Sequence, residues 1–285
     1  MTDFTVPGPD GGDLAPGGGP GAPNEPVPGP AGLAAPFDGR GFPPARGPRP
    51  PALVGLLEIV LVSGLLTDFL VAVLVASLFG VHVRDLSPNT VLLFAVMMTS
   101  TVVIVFIAWC LQVIHPEEPR LALPLPPPRG LLRETGFCLA VLPGLLVLMV
   151  VLKLLFAWVL PGAVPPSNAL LDSIGGPLDL VLFLVSSVVA GGVREEVQRA
   201  VIVLRGEVCF QAPLATLLIW SVIFGLEHRV QGWDAVFSTA VLGFVFGVIF
   251  LRRRNLYAPF LCHALFNVTV LLLYWFTRNL RPGGA

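Results

Sequence analysis

The chain has 285 residues, of which 55% are hydrophobic and 12% charged, with a net charge of −1 and a mean hydropathy of +0.84. A soluble domain does not carry that balance, and several apolar runs exceed the roughly 18 to 20 residues that a membrane-spanning helix needs. The arginines are scattered between apolar runs rather than gathered into a basic field, which excludes nucleic acid as a partner.

Residues 1–51 contain 14 prolines and 12 glycines and almost no large apolar side chains. Such a stretch cannot bury enough surface to offset its chain entropy, so it is expected to be a disordered tail rather than a signal peptide. Seven spans follow, at about 53–79, 90–114, 134–160, 178–207, 213–228, 235–251 and 257–276. The expected fold class is therefore all-α: a polytopic membrane helix bundle with about seven transmembrane helices and a disordered N-terminal tail. Arg40, Arg46 and Arg49, then Arg120, Arg129 and Arg133, then Arg252, Arg253 and Arg254 fall on one side of an alternating seven-helix path. The loop 161–177, on the other side, has no Lys or Arg. The positive-inside rule then gives a cytoplasmic N-terminus, although Arg84, Arg278 and Arg281 lie on the opposite side. The prolines of 119–128 read as a stiff, helix-free connection. Cys110, Cys138, Cys209 and Cys262 have no CxxC or CxxH spacing and read as small core residues. No internal repeat is evident, which counts against the repeat-built transporters.

Polar side chains are expensive in the bilayer core, and three clusters carry most of them here. The first is Arg194-Glu195-Glu196-Val197-Gln198-Arg199 in span four. Arg199 stands at i+4 from Glu195 and i+3 from Glu196, so its guanidinium can reach either carboxylate, while the two glutamates point about 100° apart. The second is Phe224-Gly225-Leu226-Glu227-His228 at the end of span five, with Phe224 and His228 on one face. The third is His263-Ala264-Leu265-Phe266-Asn267 in span seven, where the His and Asn stack one turn apart and can donate to one point. Each cluster has a plain packing alternative: snorkelling charges, an interfacial histidine, or interhelical hydrogen bonds. Taken together, a carboxylate, two imidazoles and an amide are what water activation and oxyanion stabilisation require. Glu195, His228 and His263 could also serve as three zinc ligands with an open water position, but HExxH is absent and the sequence does not require a metal. No Gly-x-Ser-x-Gly elbow occurs, and Cys262 and His263, being adjacent on a helix, face different ways.

In this order the motifs resemble those of the CPBP intramembrane proteases, the CAAX prenyl protease type II family, also called Abi and including bacteriocin-immunity-like members. The resemblance runs from about Val181 to Val270 and is closest between Gly243 and Asn267. It implies an N-terminal set of helices over 52–180 and a protease core over 181–277. The implied activity is an intramembrane endopeptidase, or peptide hydrolase, of the bacterial cytoplasmic membrane, acting on membrane-associated peptide or protein substrates, in some relatives near a prenylated C-terminus. Glu195 and His228 would activate water, and His263 and Asn267 would support the oxyanion, with Glu196, Arg199 and Phe224 in support. One departure is visible: the family's arginine stands one residue later, where this chain has Ala200. The shift predicts that Arg199 pairs with Glu195. A non-catalytic immunity or scaffold protein and, less favoured, a proton-coupled transporter are the competing readings. Counted from the cytoplasmic helix ends, His263, Glu195 and His228 would sit about 10, 15 and 24 Å deep on straight helices. Convergence therefore requires breaks, for which Gly191-Gly192 and Pro259 are the expected places.

Overall fold

The computed structural model describes residues 50–86, 89–115, 128–165 and 168–280. The expected disorder of the tail and most of the proline-rich connection at 119–128 lie outside the described residues; Pro128 itself opens a helix. Among the described residues the chain is helical throughout and has no strand. In order the helices are α1 (Ala52–Val62), α2 (Leu65–Phe79), α3 (Thr90–Ile114), α4 (Pro128–Val159), the short α5 (Ala169–Asp172) and α6 (Pro177–Ser186). A π-helical segment, Ser187–Arg194, leads into α7 (Glu195–Phe210), followed by α8 (Pro213–Glu227), α9 (Trp233–Arg253) and α10 (Tyr257–Asn279). Among the described residues six stretches are long and apolar enough to cross a membrane: Ala52–Phe79, Thr90–Ile114, Gly130–Val159, Pro177–Phe210, Trp233–Arg253 and Tyr257–Arg278. Leu132, Val150, Leu154 and Trp158 are among the large apolar side chains left on the outer surface, as expected where lipid tails are the solvent.

Three of the expected spans differ from regular helices in ways that matter. The first is broken at Ser63-Gly64, where Gly64 adopts φ 86°, a left-handed conformation that glycine enters without a Cβ penalty. The break releases the Val62 carbonyl, which accepts a hydrogen bond from Gln198 Nε2 at 3.0 Å. The fourth span passes through the π-helical segment that contains Gly191-Gly192, as expected of a break there. Its wider i→i+5 pattern re-aims the chain just before Glu195. The fifth, α8, has 15 residues. At 1.5 Å per residue it extends about 22 Å, short of the roughly 30 Å hydrocarbon core, so it does not cross alone as a regular span would. Pro259 proves not to be a break. It lies in the first turn of α10, where its missing N–H has no intrahelical partner to lose, and the helix runs on unbroken. Asn255 starts that helix by accepting from the Ala258 N–H at 2.9 Å.

Small residues set the close approaches between helices. A Cβ on Gly192 would come within 3.0 Å of the Phe260 ring and 3.2 Å of the Ala264 Cβ, so this glycine lets α10 lie against the π segment. A Cβ on Gly225 would meet the Val236 carbonyl at 2.5 Å and the Ala240 Cβ at 2.7 Å, fixing the α8–α9 approach. Cys138 and Cys262 are fully buried between α4 and α10, whereas Cys110 and Cys209 are half-buried; all four are free thiols.

Polar pairs gather around the C-terminal part of α7 and the neighbouring end of α9. Arg205, fully buried, holds Glu58 of α1 with Nε to Oε2 at 2.6 Å, and His115 Nε2 donates to the other oxygen of Glu58 at 2.8 Å. Arg254 pairs with Glu207 at 2.9 Å, and Arg253 with Glu134 at 2.6 Å. Because the α8–α9 approach leaves no room for a methyl group, Gly225→Ala should lower stability by about 1–3 kcal/mol. Thermal unfolding in detergent micelles checks this, and an unchanged midpoint would contradict the packing described.

Candidate functional site

The site is organised around Glu196 in the first turn of α7, which is 1% exposed. A carboxylate at such depth is tolerable only when its charge is balanced. Arg199, also 1% exposed, donates from Nη1 to Glu196 Oε1, and His263 Nδ1 of α10 donates to the same oxygen at 2.8 Å. The expected Arg199–Glu195 pair is therefore corrected to Arg199–Glu196. The i,i+3 partner is selected because the histidine from α10 arrives on that face, and Glu195 is turned about 100° away. The Arg199 guanidinium carbon lies 4.9 Å from the centre of the Phe224 ring and 5.9 Å from that of Phe246, so two aromatic faces cover the cation. Phe246 also stacks on His263, with ring centres 4.5 Å apart and planes inclined by 20°.

With Nδ1 committed to Glu196, His263 turns Nε2 toward Glu195, whose Oε2 stands 3.8 Å away. Glu195 is itself buried, at 8% exposure. Asn267 lies one turn further along α10, against Gly191 of the π segment. A Cβ built on Gly191 would come within 2.6 Å of Asn267 Nδ2 and 3.9 Å of His263 Nε2. The absent side chain is thus what allows two side-chain nitrogens to face the same small region. The π segment and α10 together bring the buried Glu195, Glu196, Arg199 and His263 and the half-buried Asn267 into one group despite the unequal depths counted from the sequence.

His228 stands apart from that group. It is the residue after α8, half-buried, with Nδ1 donating to the Phe224 carbonyl at 2.9 Å and its ring edge-on to Phe224 at 4.8 Å. That bond fixes the proton on Nδ1 in the neutral ring and leaves Nε2 as the acceptor. Among the described residues no hydrogen bond joins His228 to Glu195 or His263, but its neighbour Glu227 lies in electrostatic range of Glu195, Arg194 and Asp68. Glu195, His228 and His263 do not form a three-ligand cage: among the described residues no group of three or more His, Cys, Asp or Glu side chains is placed to hold a metal ion. His263 has only Nε2 left to offer, its other nitrogen being held by Glu196.

Several contributors escaped the motif analysis. Asp68 of α2 pairs with Arg194 at 3.0 Å and accepts from Ser100 of α3, placing the first two spans beside the polar cluster. An aspartate inside an apolar span was itself the signal. Phe246 lay within the Gly243–Gly247 stretch without a polar atom to mark it.

Residues 177–269, about one third of the chain, match the family model described as type II CAAX prenyl endopeptidase Rce1-like, consistent with a CPBP family member. That segment runs from the start of α6 to two residues beyond Asn267 and holds every residue of the cluster. No curated protein and no solved structure matches the chain. At family level these findings support a CAAX-type protease in an integral membrane protein, which implies a membrane-associated substrate. The buried charge balance gives a direct expectation: Arg199→Leu strands the Glu196 carboxylate and should cost about 3–5 kcal/mol. Denaturant-dependent unfolding in micelles measures this, and a variant as stable as the parent would refute the pairing.

Proposed function

We propose that this protein is an intramembrane endopeptidase of the cytoplasmic membrane of a bacterium, with a cytoplasmic N-terminus, that hydrolyses peptide bonds of membrane-associated substrates with water as the nucleophile. The single observation that carries this reading is the approach of His263 Nε2 to Glu195 Oε2 at 3.8 Å, with His263 Nε2 and Asn267 Nδ2 both facing Gly191. A buried carboxylate beside convergent donors is suited to polarise water and to meet an oxyanion.

In the proposed reaction the Glu195 carboxylate takes a proton from water as the water oxygen forms a bond to the scissile carbonyl carbon. The carbonyl π electrons move onto oxygen, and the oxyanion accepts hydrogen bonds from Asn267 Nδ2–H and from His263 Nε2–H. Glu196 holds the other edge of that ring and Phe246 its face, so the donor is aimed before substrate arrives. Collapse of the intermediate breaks the C–N bond, and the proton held by Glu195 passes to the leaving nitrogen. His228 assists in proton transfer: with Nδ1 bound to Phe224, Nε2 is the nitrogen that can exchange a proton. Arg199 and Glu196 do no bond chemistry in this scheme. Water attack also agrees with the absence of a nucleophilic Ser or Cys in the described cluster, Cys262 being packed against α4 instead.

Two sets of variants test the scheme in proteoliposomes, using internally quenched peptides that end in a farnesylated Cys-aliphatic-aliphatic-X sequence, and the same peptides unmodified. Glu195→Ala and His228→Ala should each reduce kcat/KM by about 100-fold or more. Cleavage at the parental rate by both variants would sink the reading, and preference between the two peptides reports whether the prenyl group is recognised. Gly191→Ala should lower kcat by about 10-fold or more while leaving the unfolding midpoint near the parental value, because its Cβ fills the space faced by Asn267 and His263. Unimpaired turnover by Gly191→Ala would remove the oxyanion assignment while leaving the Glu195 assignment standing.

A further inference from the structure

Arg194 immediately precedes Glu195, and a guanidinium next to a general base is a hazard. If the two paired, the base would be neutralised and its lone pairs occupied. Three carboxylates lie near this cation: Asp68, which is paired with it, Glu195, which follows it in the chain, and Glu227, which interacts electrostatically with Arg194, Glu195 and Asp68. The structure shows which of them holds it. Arg194 Nη1 donates to Asp68 Oδ2 at 3.0 Å, and the other oxygen of Asp68 accepts from the buried Ser100 hydroxyl. Each oxygen of Asp68 is thereby committed, and the carboxylate is fixed to α3 before it meets the arginine.

Backbone geometry supports the same arrangement. The left-handed turn at Gly64 puts Asp68 and Gln198 side by side: a Cβ on Gly64 would lie 2.8 Å from Gln198 Nε2 and 3.2 Å from Asp68 Oδ2. Through Gln198 and the Val62 carbonyl the same broken span grips α7 one turn beyond Glu195. Asp68, Ser100 and Val62 all lie outside residues 177–269, so the N-terminal spans complete a site whose motifs lie elsewhere.

We infer that Asp68 is a positioning residue for the reaction proposed above: it draws the Arg194 guanidinium away from Glu195 and so keeps the base available to water. This rests on the reading of Glu195 as the base. The Asp68 side chain is 36% exposed and that of Arg194 13%, so the pair stabilises the fold little and its worth lies in where it puts the charge.

A suppressor experiment separates this role from a structural one, with the quenched farnesylated peptide as probe in proteoliposomes and Glu195→Gln as reference. Asp68→Asn should lower kcat by about 10-fold or more with KM within about 2-fold of the parent, since the freed arginine turns to Glu195. Adding Arg194→Gln to Asp68→Asn should return kcat to within about 3-fold of the parent, because the competing cation is gone. A double variant as slow as Asp68→Asn, or an Asp68→Asn enzyme with parental kcat, overturns the inference. Parental activity in Glu195→Gln would instead overturn the assignment of the base and this inference with it, so the two failures are told apart.

Discussion

One buried carboxylate oxygen, Glu196 Oε1, accepts from both Arg199 and His263, and the arrangement of the site depends on it. A lone charge at 1% exposure in apolar surroundings would cost several kcal/mol, so the glutamate, the arginine and the histidine must occur together or not at all. Their union ties α7 to α10. It also decides which nitrogen of His263 is left for chemistry, as carboxylate–histidine pairs do in many enzymes. Phe224 and Phe246 close over the guanidinium and exclude competing partners, and Phe246 reaches the histidine as well. The two adjacent glutamates thus divide the work by geometry: one is consumed by structure, and the helix turns the other toward the open side.

The second constraint is depth. Straight helices would have set His263 and Glu195 at unequal levels, and the protein meets this with a departure from regular helix geometry. The π-helical segment re-aims the backbone at Gly191-Gly192, and the absent side chains there let α10 come close enough for Asn267 and His263 to face Gly191. Broken helices are costly in lipid unless protein covers the loosened backbone, and here it does: Ala190, Gly191 and Gly192 are buried.

Hydropathy made most of the fold legible, because a bilayer demands long apolar helices whatever else the protein does. The α3 boundaries agree with the expected 90–114 to the residue, and α9 and α10 differ by a few residues. The three polar clusters were legible for the same reason, since each stands out against an apolar background. What escaped depends on tertiary choice. Arg199 had two carboxylates within helical reach, and only the arrival of His263 from another span selects Glu196. Pro259 resembles a break by residue type alone, yet at the third position of α10 its missing N–H costs no intrahelical bond. The break at Ser63-Gly64 sits inside an unbroken apolar run, so hydropathy passes over it, and Asp68 was overlooked because no motif surrounded it.

The central claim is that water, not a side chain, attacks the substrate, with Glu195 as its base. A single turnover of the farnesylated peptide in ¹⁸O-labelled water, quenched and read by mass spectrometry, tests it most directly. The account predicts one ¹⁸O in the new peptide C-terminus, none in the Glu195 carboxylate, and no peptide attached to the protein. An unlabelled first product with ¹⁸O in Glu195, or a trapped peptide adduct, would contradict it.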